Sequence, residues 1–199
     1  MLKLKKIAIT GAPCSGKTLV CQLFQEYGAY VVNADEIAHQ LLSFNKEYKE
    51  KVVQSLGQEV LEENQISRDK IANIVFKDPE KLKTLEKILH PYIFQKISNE
   101  YQKCSKFAKA PLFVVEVPLL FEAGWQSFFD IVILVKADME IRKKRFDERK
   151  SMQFFYARDN RFSEESAKEK DADFILYNDG SIEDLREKFK QILQDILNN

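Results

Sequence analysis

Residues Gly11-Ala12-Pro13-Cys14-Ser15-Gly16-Lys17-Thr18 carry the spacing G-x-x-x-x-G-K-[ST], by which a backbone wraps a polyphosphate. The glycines let successive N–H groups turn toward phosphate oxygens, and a following helix adds its positive end. A lysine at position 17 neutralises β and γ oxygens, and a hydroxyl at position 18 ligates Mg²⁺. The predicted nucleotide-binding set is Gly11, Pro13, Cys14, Ser15, Gly16, Lys17, Thr18 and Leu19. A glycine turn with a solvated lysine is the plainer reading, and it leaves this register to accident.

Two carboxylates stand at places where chemistry could use them. Asp35 follows the short apolar run Ala29 to Val32. There it could take the proton of an attacking hydroxyl or cap the helix that the next residues predict. Glu116 interrupts LFVVEV, where an unpartnered carboxylate would be costly; it either faces Mg²⁺ through water or pairs with a cation. Arg142, Arg145 and Arg149 are spaced for one helix face. Such a row can clamp a transferring phosphoryl group or merely face solvent. His39 falls one turn after Asp35, and His90 precedes Pro91; a structural histidine and a ligand contact are both open for each. Cys14, inside the glycine-rich loop, has amides and Lys17 nearby to lower its pKa.

The elements that must hold these groups follow from periodicity. Ile7 to Thr10 is a β-branched strand leading into the loop, and Leu19, Val20, Leu23 and Phe24 recur at helical spacing after it. Further strands are predicted at Ala29 to Val32, Leu112 to Val117, Asp130 to Val135 and Phe174 to Leu176. Strands separated by helices predict an α/β parallel sheet flanked by helices, with ligands at the strands' carboxyl ends. From Tyr48 to about Lys109 the pattern is helical with little strand content; Ser67 opens one helix and Asp78-Pro79 another.

Composition narrows the class. The 199 residues suffice for one compact fold, and 31 basic residues balance 31 acidic ones. This speaks against general polyanion or membrane-surface binding. Three cysteines without a CxxC pair and two histidines make no zinc cluster. The basic start MLKLKKIAIT is too short in apolar residues for a signal peptide, and no run approaches a membrane span. The expectation is a cytoplasmic protein with reduced thiols that touches neither nucleic acid nor membrane.

At several separated points the sequence resembles the dephospho-CoA kinase family: ITGAPCSGKT, VVNADEIAHQL, ISRDKIANIVFKDPEKLKTLEKILHP, VVEVPLLFEAG and ADFILYNDGSIEDL. The resemblance implies a P-loop NTPase core at 1–35, 109–137 and 171–199. It also implies a helical substrate-binding insertion at 36–108 and a helical lid at 138–170. ATP would donate its γ-phosphoryl group, with Mg²⁺, to the 3′-hydroxyl of dephospho-CoA. Asp35 becomes the catalytic base, with Lys17 and Arg145 as catalytic cations. His39, Arg68, His90, Pro118, Leu119, Leu120 and Glu122 line the acceptor side. Arg145 or Arg149 reaches the phosphates, and Asn178 and Gly180 stand near adenine. A monomer or weak homo-oligomer is expected. The chain departs from the family pattern at Asn33, where an Asp is usual, at Pro13-Cys14, where Ile-Gly is usual, and at Phe162, where Gln is common.

Three other readings compete. Another nucleoside or nucleotide kinase would share the core without needing Arg68, His90 and PLLFE together. A GTP-dependent switch would need Asn-Lys-x-Asp, whereas Asn45-Lys46 runs on into Glu47-Tyr48. A non-catalytic ATP-binding protein would not require Lys17 or Asp35.

Overall fold

The computed structural model describes residues 4–107, 110–146, 152–162 and 165–198. The chain divides into two compact units, one of residues 1–33 with 101–199 and the other of residues 34–100.

In the first unit the strands are β1 (Lys5–Thr10), β2 (Tyr30–Asn33), β5 (Leu112–Glu116), β6 (Ile131–Lys136) and β7 (Phe174–Tyr177). They form one sheet in the order β2-β5-β1-β6-β7, and every pair is parallel. β5 and β6 are nearly unbroken apolar runs because both faces of such a sheet are covered. The register sets Glu116 beside Ile9 and Asn33. It also sets Thr10 beside Leu134 and Lys136 beside Tyr177, so the strands' carboxyl ends come out along one edge.

One face is covered by α1 (Lys17–Glu26) and α9 (Ile182–Asn198). Val20, Leu23 and Phe24 of α1 pack with Leu185, Phe189, Leu193 and Ile196 of α9 over Ile7, Ile9, Val114, Ile133 and Val135. The Phe24 and Phe189 rings meet edge to face at 4.8 Å, where an aromatic pair adds about 0.5–1.5 kcal/mol to simple burial. Ser181 and Asp184 start α9 reciprocally, each backbone N–H bonding the other's side chain. The same unit carries α6 (Met139–Arg145), α7 (Met152–Arg161) and α8 (Glu165–Asp171).

The second unit holds α2 (Ala34–Phe44), α3 (Lys46–Leu56), α4 (Arg68–Val75) and most of α5 (Pro79–Phe107). Asn45 caps α3, its side chain accepting the Tyr48 N–H. The expectation of little strand content there overlooked a small hairpin, β3 (Leu61–Glu62) with β4 (Gln65–Ile66). Its turn residues Glu63 and Asn64 have φ of 47° and 61°, the left-handed pair that a two-residue hairpin loop needs. Among the described residues no helix is long and apolar enough to cross a membrane.

Candidate active site

The loop between β1 and α1 has the shape its sequence predicts. Gly11 has φ +149°, and a Cβ there would lie 2.2 Å from the Val135 carbonyl oxygen. Gly16 has φ +104°, and a Cβ there would lie 2.1 Å from Asn178 Nδ2. Both positions therefore exclude a side chain on space as well as conformation. Cys14 is left-handed at φ +61° although it is not glycine. Lys17, only 8% exposed, donates from Nζ to the Ala12 carbonyl at 2.9 Å. Among the described residues the buried Ser15 Oγ has no hydrogen-bond partner, an orphan that a phosphate oxygen would satisfy.

Beside the loop, Glu116 ends β5 at 6% exposure. Its carboxylate accepts from Thr18 Oγ1 at 3.0 and 3.2 Å and from Asn33 Nδ2 at 2.9 Å. Sequence reasoning singled out Glu116 but missed Asn33 as its donor. The amide holds the carboxylate without adding a second negative charge beside it. Burial, and next the Glu116 charge, push the Cys21 thiol on α1 far up, partly opposed by Lys17. Oxygen donors at Thr18 and Glu116 suit Mg²⁺, and no group of three or more His, Cys, Asp or Glu side chains is placed to hold a metal alone among the described residues.

Asn178, at the end of β7 and 5% exposed, donates to the Ser15 carbonyl at 2.8 Å. It thus supports the loop's backbone. Arg145 Nη2 in turn donates to the Asn178 carbonyl at 2.9 Å. Gly180 begins the turn into α9, where a Cβ would lie 2.5 Å from Asp184 Oδ2. A cavity of about 570 Å³ opens at Ala12 and is lined by Ala137, Met139, Arg142, Tyr177 and Asp179.

Of the three arginines spaced for one helix face, Arg142 and Arg145 lie on α6. α6 ends at Arg145, and Phe146 turns extended at φ −70° and ψ 136°. Its buried ring packs against Phe155 at 5.3 Å. Arg149 lies outside the described residues. Arg142 is buried rather than solvated, paired with Asp159.

Pro118, Leu119 and Leu120 follow β5, with Leu120 fully buried and the Pro118 carbonyl accepting from Thr10 Oγ1 at 3.2 Å. Glu122 pairs with the buried Lys168 of α8, whose Nζ also lies 3.6 Å from the Phe162 ring centroid. In the second unit Asp35 is the second residue of α2, inside its first turn, so it is not the residue before the helix. Asp35, His39 and Arg68 are exposed, and His90 is half-buried within α5.

A parallel sheet whose first strand feeds a phosphate-binding loop, with a buried acidic strand end beside the loop's threonine, defines a P-loop kinase. The dephospho-CoA kinase sequence profile matches residues 5–184. The chain is 41% identical over 199 residues to a dephospho-CoA kinase of Protochlamydia amoebophila, covering 98% of each. It superposes on a solved Thermus thermophilus structure with a TM-score of 0.80, at 32% identity and 98% coverage of both chains. With a Campylobacter jejuni dephospho-CoA kinase structure the TM-score is 0.69, at 29% identity and 96% coverage of both. The chain belongs to the dephospho-CoA kinase family.

Proposed function

We propose that this protein transfers the γ-phosphoryl group of ATP to the ribose 3′-hydroxyl of dephospho-CoA, giving CoA and ADP, the last step of CoA biosynthesis. The observation that carries the reading is a complete phosphate loop inside a family match that runs over residues 5–184. N–H groups of residues 14–19 and Lys17 bind the phosphates. Arg145, and Arg149 beyond the described residues, neutralise charge on the transferring group. The base lies toward Tyr177, Asn178 and Gly180, where the cavity beginning at Ala12 gives it room.

Thr18 would hold Mg²⁺ directly and Glu116 through water, and the ion when bound neutralises charge on the β and γ oxygens. Asp35 accepts the 3′-hydroxyl proton as the ribose oxygen bonds to the γ-phosphorus and the bond to the β-phosphate oxygen breaks. His39, Arg68, His90, Pro118 to Leu120 and Glu122 receive dephospho-CoA, with Glu122 held by Lys168. The family match and the carboxylate's position in the first helical turn after β2 support Asp35 in this role.

The test incubates purified protein with ATP, Mg²⁺ and dephospho-CoA, beside adenosine, AMP and shikimate, and follows ADP with product mass. One phosphate gained by dephospho-CoA alone, at the 3′ position, is the expected result. Transfer only to another acceptor would refute the substrate. Asp35→Asn is expected to lose about 10²- to 10⁴-fold in turnover while still binding ATP, and unchanged turnover would remove Asp35 as base.

A further inference from the structure

Helix α6 reaches the phosphate loop directly at one carbonyl, that of Pro13, and through Asn178 at a second, that of Ser15. Arg142 Nη1 donates to the Pro13 carbonyl at 3.4 Å and to the Asp159 carboxylate on α7. Its Nε donates to the Ala137 carbonyl at 3.1 Å, and Nη2 reaches Met139 Sδ at 3.6 Å. The guanidinium lies 5.7 Å over the Phe155 ring. One turn on, Arg145 holds Asn178, and Asn178 holds the Ser15 carbonyl.

Arg142 has five N–H donors and no acceptor, and they are largely taken by these protein groups. Asp159 neutralises its charge, and a buried pair of this kind is costly to break from either side. That makes it a poor candidate for a clamp that moves onto phosphate and a good one for a fixed brace. Its grip on Pro13 has a directional consequence. In a planar trans peptide the C=O and the following N–H point opposite ways. Holding the Pro13 oxygen toward α6 therefore turns the Cys14 N–H away from α6. Cys14 is the non-glycine residue of the loop with a left-handed φ, and a left-handed residue in a run of N–H groups is what creates an anion-binding nest. Pro13 offers no N–H of its own, so the Cys14 donor matters more.

We propose that Arg142 is a positioning residue for nucleotide phosphates: it fixes the Pro13–Cys14 peptide so that the Cys14 N–H is preset for a phosphate oxygen, and Asp159 keeps the guanidinium in place. The proposal deepens the ATP reading and rests on it.

Titration calorimetry of ATP and of inorganic tripolyphosphate, with a thermal melt of each protein, tests it on wild type, Arg142→Met, Arg142→Lys and Asp159→Asn. Arg142→Met is expected to weaken both ligands about tenfold, with kcat at saturating ATP within about threefold. Arg142→Lys keeps a cation for Asp159 but cannot serve Pro13 as well; it is expected to melt near wild type and still lose affinity like the Met variant. Asp159→Asn should fall between. Unchanged affinity in folded Arg142→Lys, or a collapse of kcat with affinity intact, would overturn the brace. A wild-type protein that binds neither ligand would instead remove the ATP reading, and this proposal with it.

Discussion

Cys14 is the residue at which local conformation and sequence disagree. Its φ of +61° is one that a side chain enters only at a cost of about 1–2 kcal/mol. The loop keeps that conformation because neighbouring groups over-determine it: Arg142 holds the Pro13–Cys14 peptide and Asn178 holds the Ser15–Gly16 peptide one residue further on. Cys14→Gly should remove the strain while adding about 0.5–1 kcal/mol of unfolded-chain entropy. The expected net gain is about 0.5–1 kcal/mol in urea unfolding, and a loss of stability would mean that the thiol makes contacts worth more than the strain. Asn33 makes a related point through charge. A carboxylate in its place would sit against Glu116, whereas the amide donates to it at 2.9 Å.

Helices and strands were legible where a local rule governs them. The strand cores, the loop-to-helix junction and the opening of α5 at Asp78-Pro79 could all be read from spacing. Asp78 Oδ1 accepts the N–H of Glu80 at 3.1 Å and of Lys81 at 3.2 Å, and Pro79 takes the first helical position, where no N–H is needed. Asp78→Ala should therefore cost about 1 kcal/mol in denaturant unfolding, and a change near zero would show that packing along α5 fixes its start without the cap. The hairpin of β3 and β4 was not legible, because strands of two residues have no period to detect. The end of α6 was hidden for a different reason. The arginine spacing continues past Arg145, but burying Phe146 against Phe155 turns the chain first. Partners distant in sequence, Ser15 with Asn178 and Pro13 with Arg142, leave no mark in any local window. The phosphate loop was thus readable, and the side chains that hold it were not.

At the scale of the whole molecule, division into two compact units, residues 34–100 and the remainder, carries a prediction about where each substrate acts. The loop, Glu116, Asn178 and Arg145 all belong to the larger unit, while Asp35, His39, Arg68 and His90 belong to the smaller. If ATP is taken by the first group and dephospho-CoA is held largely by the second, the two ligands should stabilise different amides. A ligand at about one hundred times its Kd stabilises what it binds by about 2.7 kcal/mol, enough to slow exchange about a hundredfold wherever opening would release it. ATP with Mg²⁺ should slow hydrogen exchange chiefly at residues 11–19 and 177–180, and dephospho-CoA chiefly within residues 34–100. Protection by dephospho-CoA confined to the larger unit would take acceptor recognition away from Arg68 and His90. It would leave the phosphate loop, which owes its shape to residues of the larger unit alone, unaffected by that failure.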